Sequence, residues 1–121
     1  MFYNVEVMVK TATPHVGELE ELMMLAIAKV GDAQGEAAGT PIREALVEAE
    51  RRVAIGTLYV TLERLESKGL IKSRMTEATA ERGGRAKRVF RLVAEGVAVL
   101  EAAEARRLKL KAGLNLAGGI A

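Results

Sequence analysis

From Glu18 to Val30, apolar residues recur at intervals of three and four: Leu19, Leu22, Met23, Ala26, Ile27 and Val30. That is the period of a helix with one face turned inward. Glu18, Glu20 and Glu21 suit the positive end of its dipole, and Gly31 is a natural C-terminal stop. A small-residue loop containing three glycines, Gly31 to Gly39, follows. Thr40 before Pro41 reads as an N-cap with proline at the first helical position. It predicts a second helix from Pro41 to about Arg51, with Ile42, Ala45, Leu46 and Ala49 inward. A third helix is expected from near Ile55 to Lys68, closed by Gly69, on the stripe Ile55, Leu58, Leu62 and Leu65.

After Gly69 the period shortens. Leu70 to Thr76 and Ala86 to Leu92 mix β-branched or aromatic residues with charges around a segment rich in Gly, Thr and Glu, which predicts a two-stranded hairpin with Arg82 to Arg85 at its tip. Ala94 to about Lys111 has the composition of a strong helix, and Gly113 to Ala121 reads as a frayed end. At the other terminus Val5, Val7 and Val9 alternate as a strand would, yet Pro14 and His15 end the run. A packed arm and a loose segment are both compatible with that. The expected fold is mainly α with a small β-hairpin. It has an N-terminal arm (1–16), a winged helix-turn-helix domain (17–92), and a C-terminal helix with its tail (93–121).

Composition narrows the chemistry. The 121 residues make one domain, and about half are apolar, so this is no disordered tail. Absence of cysteine removes disulfides, thiol nucleophiles and thiolate metal sites together. No apolar run approaches the roughly 20 residues that span a bilayer, and no signal peptide is apparent, so a soluble cytoplasmic protein is expected. The inventory for an enzyme is poor. His15 is the single histidine and reads as a surface residue; no serine nucleophile with a histidine partner is visible. Gly83-Gly84 lacks the preceding strand and the following Gly-Lys-Ser/Thr of a phosphate-binding loop. No metal or cofactor is expected.

Charge points to a polyanionic partner. Net charge is only +2, but residues 1–50 hold Lys10, Lys29 and Arg43 against nine acidic residues. Residues 68–91 hold Lys68, Lys72, Arg74, Arg82, Arg85, Lys87, Arg88 and Arg91 against Glu77 and Glu81. A field so divided gives the surface one docking side for a polyanion. In a helix-turn-helix unit the third helix enters the major groove. Here its outer face is expected to carry Gly56, Thr57, Val60, Glu63, Arg64 and Ser67, flanked by Tyr59 and Thr61. Thr57 and Thr61 can donate to phosphates or bases, Tyr59 to a phosphate, and Val60 can touch a thymine methyl. Glu63 is discordant there and is expected to lie away from the phosphates. Arg64, Lys68, Lys72 and Arg74 are placed near phosphates, with Arg82, Arg85, Lys87 and Arg88 on the wing; Arg82 and Arg85 suit the negative potential of a minor groove. Double-stranded DNA is the expected partner. A winged-helix module for RNA or protein is the alternative, disfavoured by only four aromatics, Phe2, Tyr3, Tyr59 and Phe90, and by the basic wing.

The stretches "GELEELMMLAIAKVG", "GTLYVTLERLESKGLIKSR" and "TAERGGRAKRVFRLVAEG" resemble the PadR family of transcriptional regulators across roughly residues 17–110. The shared features are an "LYxxLxRLExKGL" third helix, a wing with glycines between basic residues, and an aromatic-Arg-Leu exit. The resemblance implies a repressor that binds a palindromic operator as a homodimer, its C-terminal helix helping to dimerise. Tyr59 matches the aromatic of the third-helix motif, and Arg82 and Arg85 match the wing tip. Two positions depart from the pattern: Ala38-Gly39 stands where an aromatic-Gly pair is common, and Val93 where Thr or Ser often caps the last helix. Dimerisation is also suggested by the last helix itself, whose broken stripe Val97, Leu100, Ala103 and Leu108 needs a surface to bury against, with Leu19 and Met23 of the first helix joining it. Some family members are implied to respond to small aromatic or cationic compounds near that interface. No effector is identified for this chain, which lacks tryptophan.

Overall fold

The structure, a computed structural model, describes residues 14–77 and 85–116. Its elements run α1 (Glu18–Val30), β1 (Ala37–Ala38), α2 (Gly39–Glu48), α3 (Ile55–Ser67), β2 (Ile71–Met75), β3 (Arg88–Leu92) and α4 (Ala94–Lys111). The strands form an antiparallel sheet in the order β1-β3-β2. Among the described residues no helix is long and apolar enough to cross a membrane.

The three-helix core closes as the apolar period requires. Met23, Met24 and Ile27 of α1, Ile42 and Leu46 of α2, and Leu58, Leu62 and Leu65 of α3 are fully buried, joined by Leu70, Ile71 and Phe90 from the wing. Burying each such side chain contributes about 1.5–3 kcal/mol. Phe90 thus ties the sheet to the helices from its inner face.

Four expectations shift. The helix predicted from Pro41 begins at Gly39, because Ala37 and Ala38 pair with Phe90 and Val89 of β3 and the chain passes straight from strand to helix; Thr40 makes no cap bond. That helix stops at Glu48 rather than Arg51. Glu50 adopts a left-handed φ of 63°, letting its amide donate to Val47 (2.9 Å) and that of Arg51 to Leu46 (2.8 Å), which leaves Ala49 exposed. Ile55, placed in the core stripe, is 54% exposed on the first turn of α3. On α4 the inward positions are Gly96, Val99 and Ala103. Ala103 is therefore spent on the chain's own body, as is fully buried Met23, and neither is free for a partner subunit. Leu19 and Leu100 are half-buried against the same core.

Gly69 ends α3 at φ 76°, so that its amide reaches the carbonyl of Glu66 (2.9 Å) and that of Leu70 reaches Leu65 (3.1 Å). The chain then turns directly into β2. Gly96 lets α4 cross this turn: a Cβ there would stand 2.3 Å from the Leu70 carbonyl oxygen, which already accepts the Val93 amide at 3.2 Å.

Each carboxylate in the first turn of α1 grips a different element. Glu20 accepts the Gly17 amide (3.0 Å) and holds Lys68 at the end of α3 (2.8 and 2.9 Å). Glu21 binds Arg107 of α4 through both oxygens, and Glu18 lies 3.6 Å from Arg51. Burial alone would raise the Glu20 carboxyl. The Lys68 hydrogen bond, the Gly17 amide and the charges of Lys68 and Arg64 together outweigh it and hold the group below its ordinary value.

A Glu20 carboxyl depressed in the folded state contributes stability above its usual pKa of 4.5 and loses it as pH falls through the lower folded value. Lys68→Met should therefore cost roughly 2 kcal/mol at neutral pH, less than a fully dry pair because Lys68 keeps 26% of its side chain exposed. The difference from wild type should shrink in urea titrations carried to acid pH, where Glu20 is neutral. Gly96→Ala should lose about 1–3 kcal/mol by the same measurement, since the obstructing atom is backbone. Glu50→Gly should gain about 1 kcal/mol by relieving the left-handed residue.

Candidate nucleic-acid interface

The candidate surface is built on α3. Its buried side is Leu58, Thr61, Leu62 and Leu65, and its outer side carries Gly56, Thr57, Tyr59, Val60, Glu63, Arg64 and Ser67. Thr61 is a correction. It is 2% exposed and its hydroxyl donates to the Thr57 carbonyl at 2.7 Å, so it belongs to the helix rather than to a ligand. Thr57 remains outside, its hydroxyl without a partner among the described residues. Val60 is 55% exposed and Tyr59 40% exposed. The Tyr59 ring lies across the start of α2 with its centroid 6.5 Å from that of Phe90, and a Cβ on Gly39 would stand 2.2 Å from its hydroxyl oxygen. Gly39 thus makes room for Tyr59. Gly56 is different: a Cβ there would meet nothing within 4 Å, so the fold itself does not ask for glycine.

The wing is fastened to this helix by the guanidinium of Arg88 and the hydroxyl of Ser73. Arg88 of β3 donates from Nη1 to Glu63 (2.9 Å), from Nη2 to Glu66 (2.8 Å) and from Nε to the Ser73 hydroxyl (3.1 Å), and its carbon lies 5.1 Å from the Phe90 ring centroid. Ser73 in turn donates to Glu66 at 2.9 Å. Hydrogen bonding to Glu63, seconded by Glu66, raises the Arg88 pKa above its usual value. Glu63, discordant in a basic setting, is the anchor of the wing.

The basic residues singled out in the sequence therefore divide. Arg88 is engaged with α3. Lys68 is engaged with Glu20 and the His15 carbonyl, and Arg74 reaches across β3 to grip Glu36 through two bonds of 2.6 and 2.7 Å. Arg74 lowers the Glu36 carboxyl chiefly through that contact. These three cations brace the fold through carboxylates. Arg64, Lys72, Arg85 and Lys87 are exposed and in no ion pair among the described residues. Arg64 stands one turn below Val60. Arg85 and Lys87 lead into β3 at the outer end of the hairpin, where the Thr76 amide donates to the Lys87 carbonyl at 2.7 Å. Lys72 faces Arg91 across the strands at the hairpin's base, away from that end. Arg82, with Gly83 and Gly84, lies outside the described residues.

Sequence reasoning missed Arg52 and Ile55. Arg52 is exposed and unpaired in the turn between α2 and α3. Ile55 borders a shallow groove of about 150 Å³ with Thr40, Arg43, Glu44 and Val47. The clue for Ile55 was its place as the first residue of its helix, ahead of the turn that the core can reach. Val97, Leu108 and Leu110 of α4 are exposed, and so are Leu114 and Leu116 after it.

The fold is shared with known proteins. Among curated proteins none matches the sequence. A PadR-like transcription factor from Bacteroides fragilis superposes with a TM-score of 0.65 at 27% identity, over 98% of this chain and 99% of its own. A PadR family transcriptional regulator from Eggerthella lenta does so with a TM-score of 0.60 at 27% identity, over 90% of this chain and 87% of its own. Bacillus subtilis PadR, solved in complex with operator DNA, shares the fold at 18% identity and a TM-score of 0.55, over 69% of this chain and 45% of its own. The model of the transcriptional regulator PadR-like family matches residues 27–102, more than half of the 121. On that match the chain belongs to the PadR-like family of transcriptional regulators.

Proposed function

We propose that this protein is a cytoplasmic repressor that binds a palindromic operator as a homodimer. In this reading α3 lies in the major groove with Thr57, Tyr59 and Val60 toward DNA, and Arg64 and Arg52 approach phosphates. Arg85 and Lys87, with Arg82 beyond the described residues, carry the wing to the neighbouring groove. The observation that supports it most is the division of the cations. Those that brace the fold are paired with carboxylates, while Arg64 on the outer face of α3 and Arg85 and Lys87 at the outer end of the wing stay unpaired. Bacillus subtilis PadR, a fold neighbour, is itself an operator-DNA complex.

The subunits of the proposed dimer meet through α4. Its residues from Glu104 onward are exposed, and Leu108 and Leu110 on it, with Leu114 and Leu116 just after it, leave four leucines without apolar cover in one chain. Val97, at 42% exposure, extends the contact toward the body, with half-buried Leu100 and Leu19 at its margin. A two-fold dimer sets its two reading helices about one DNA turn apart, roughly 34 Å, which matches a palindrome.

Operator affinity should fall steeply with salt, with a log-log slope of about −0.9 for each phosphate neutralised. Arg85→Ala should reduce that slope by about one phosphate; a flat salt response would remove the DNA reading. Gly56→Ala should leave the fold as stable or up to about 1 kcal/mol more stable, yet weaken operator binding by holding the groove off the helix backbone. Sedimentation at micromolar concentration should give a dimer, and a monomer that binds a single half-site would contradict the assembly.

A further inference from the structure

The first turns of α3 present an unusual chemistry for a reading helix. Outward they offer Ile55, Gly56, Thr57, Tyr59 and Val60, with Ile55 and Val60 each more than half exposed although the core is closed without them. Neither side-chain class that grips purines with paired hydrogen bonds, Arg for guanine or Asn and Gln for adenine, occurs from Ile55 to Glu63. Burial of Thr61, whose hydroxyl is spent on Thr57, removes one of the three hydroxyls that could have served base edges. Glu63, the one group able to accept from cytosine, is held by Arg88. What remains outward is Ile55 and Val60 on the two flanks of Gly56, with the hydroxyls of Thr57 and Tyr59 between the aliphatic groups and Arg64, unpaired, one turn beyond Val60.

The floor of the major groove carries one apolar group, the C5 methyl of thymine. We infer that the operator half-site presents thymine methyls to Ile55 and Val60, with the Thr57 methyl beside them. These contacts contribute to the sequence preference of this protein beside the hydroxyl of Thr57. Gly56 fits that role, because a glycine between the two aliphatic residues lets their side chains, not an intervening Cβ, meet the groove floor. The inference rests on the reading that α3 lies in the major groove.

Replacing thymine by deoxyuridine removes the methyl and leaves the hydrogen-bonding edge intact. The operator recovered by selection from a random duplex pool would be compared with its copy carrying deoxyuridine in the half-sites. Wild-type affinity is expected to fall roughly fourfold per contacted methyl, the value of one buried methylene. The Ile55→Ala/Val60→Ala variant, whose changes are on the surface and should spare folding, is expected to bind the two duplexes within twofold of each other. Equal wild-type affinity for both duplexes overturns the inference. So does an equal loss in wild type and variant, which would assign the methyl effect to DNA stiffness. A pool that yields no enriched sequence would overturn the helix-in-groove reading as well, whereas enrichment of an operator indifferent to deoxyuridine would overturn this inference alone.

Discussion

Arg88 is the side chain on which the wing and α3 must agree. Its three donor positions are taken by Glu63, Glu66 and Ser73, so it fixes β3 to α3 at two successive turns of the helix and to β2 across the sheet. The same strand turns Phe90 into the core, opposite Ser73 in the register. A slip of one residue between β2 and β3 would carry Phe90 to solvent and Arg88 away from α3 together. The apolar and the ionic requirement thus select one register. The contact is worth more as geometry than as energy, since pairs this exposed contribute modestly.

The same economy governs the rest of the charge. A net charge of +2 conceals three ties that consume carboxylates of the acidic first half: Glu20 with Lys68, Glu21 with Arg107, and Glu36 with Arg74. Each runs between elements far apart in sequence. Together they set α1 against the end of α3, α4 against α1, and the wing against the loop before β1. The carboxylates of α1 therefore do more than favour a helix dipole. Among the cations left unpaired, Arg64 stands on the outer face of α3, and Arg85 and Lys87 stand at the outer end of the wing.

Much of the fold was legible because it depends on periods that survive without neighbours. The bounds of α1 were read to the residue from apolar spacing and a glycine stop, those of α4 from helix-forming composition, and the hairpin strands to within two residues from β-branched and aromatic content. Features that depend on a partner in space were not. Two alanines do not announce a strand, and β1 exists because β3 offers an unpaired edge. Helix α2 ends early through a left-handed glutamate, where sequence habit looks for glycine. In the candidate interface the outer face of α3 was legible, but the fate of each cation was not. Composition counts Lys68, Arg74 and Arg88 with Arg85 and Lys87; only tertiary structure shows which have met a carboxylate. Thr61 and Ile55 exchanged places for a related reason. The core reaches α3 from its second turn onward, so it covers a threonine there and leaves an isoleucine bare at the first.

The account turns on Arg88 being a brace rather than a phosphate contact, and salt titration separates the two. In the charge-neutral double variant Glu63→Gln/Arg88→Gln, operator affinity should fall because wing and reading helix no longer share a fixed geometry, while the log-log salt slope should equal that of wild type. A slope shallower by about 0.9, the signature of one lost phosphate contact, would contradict it.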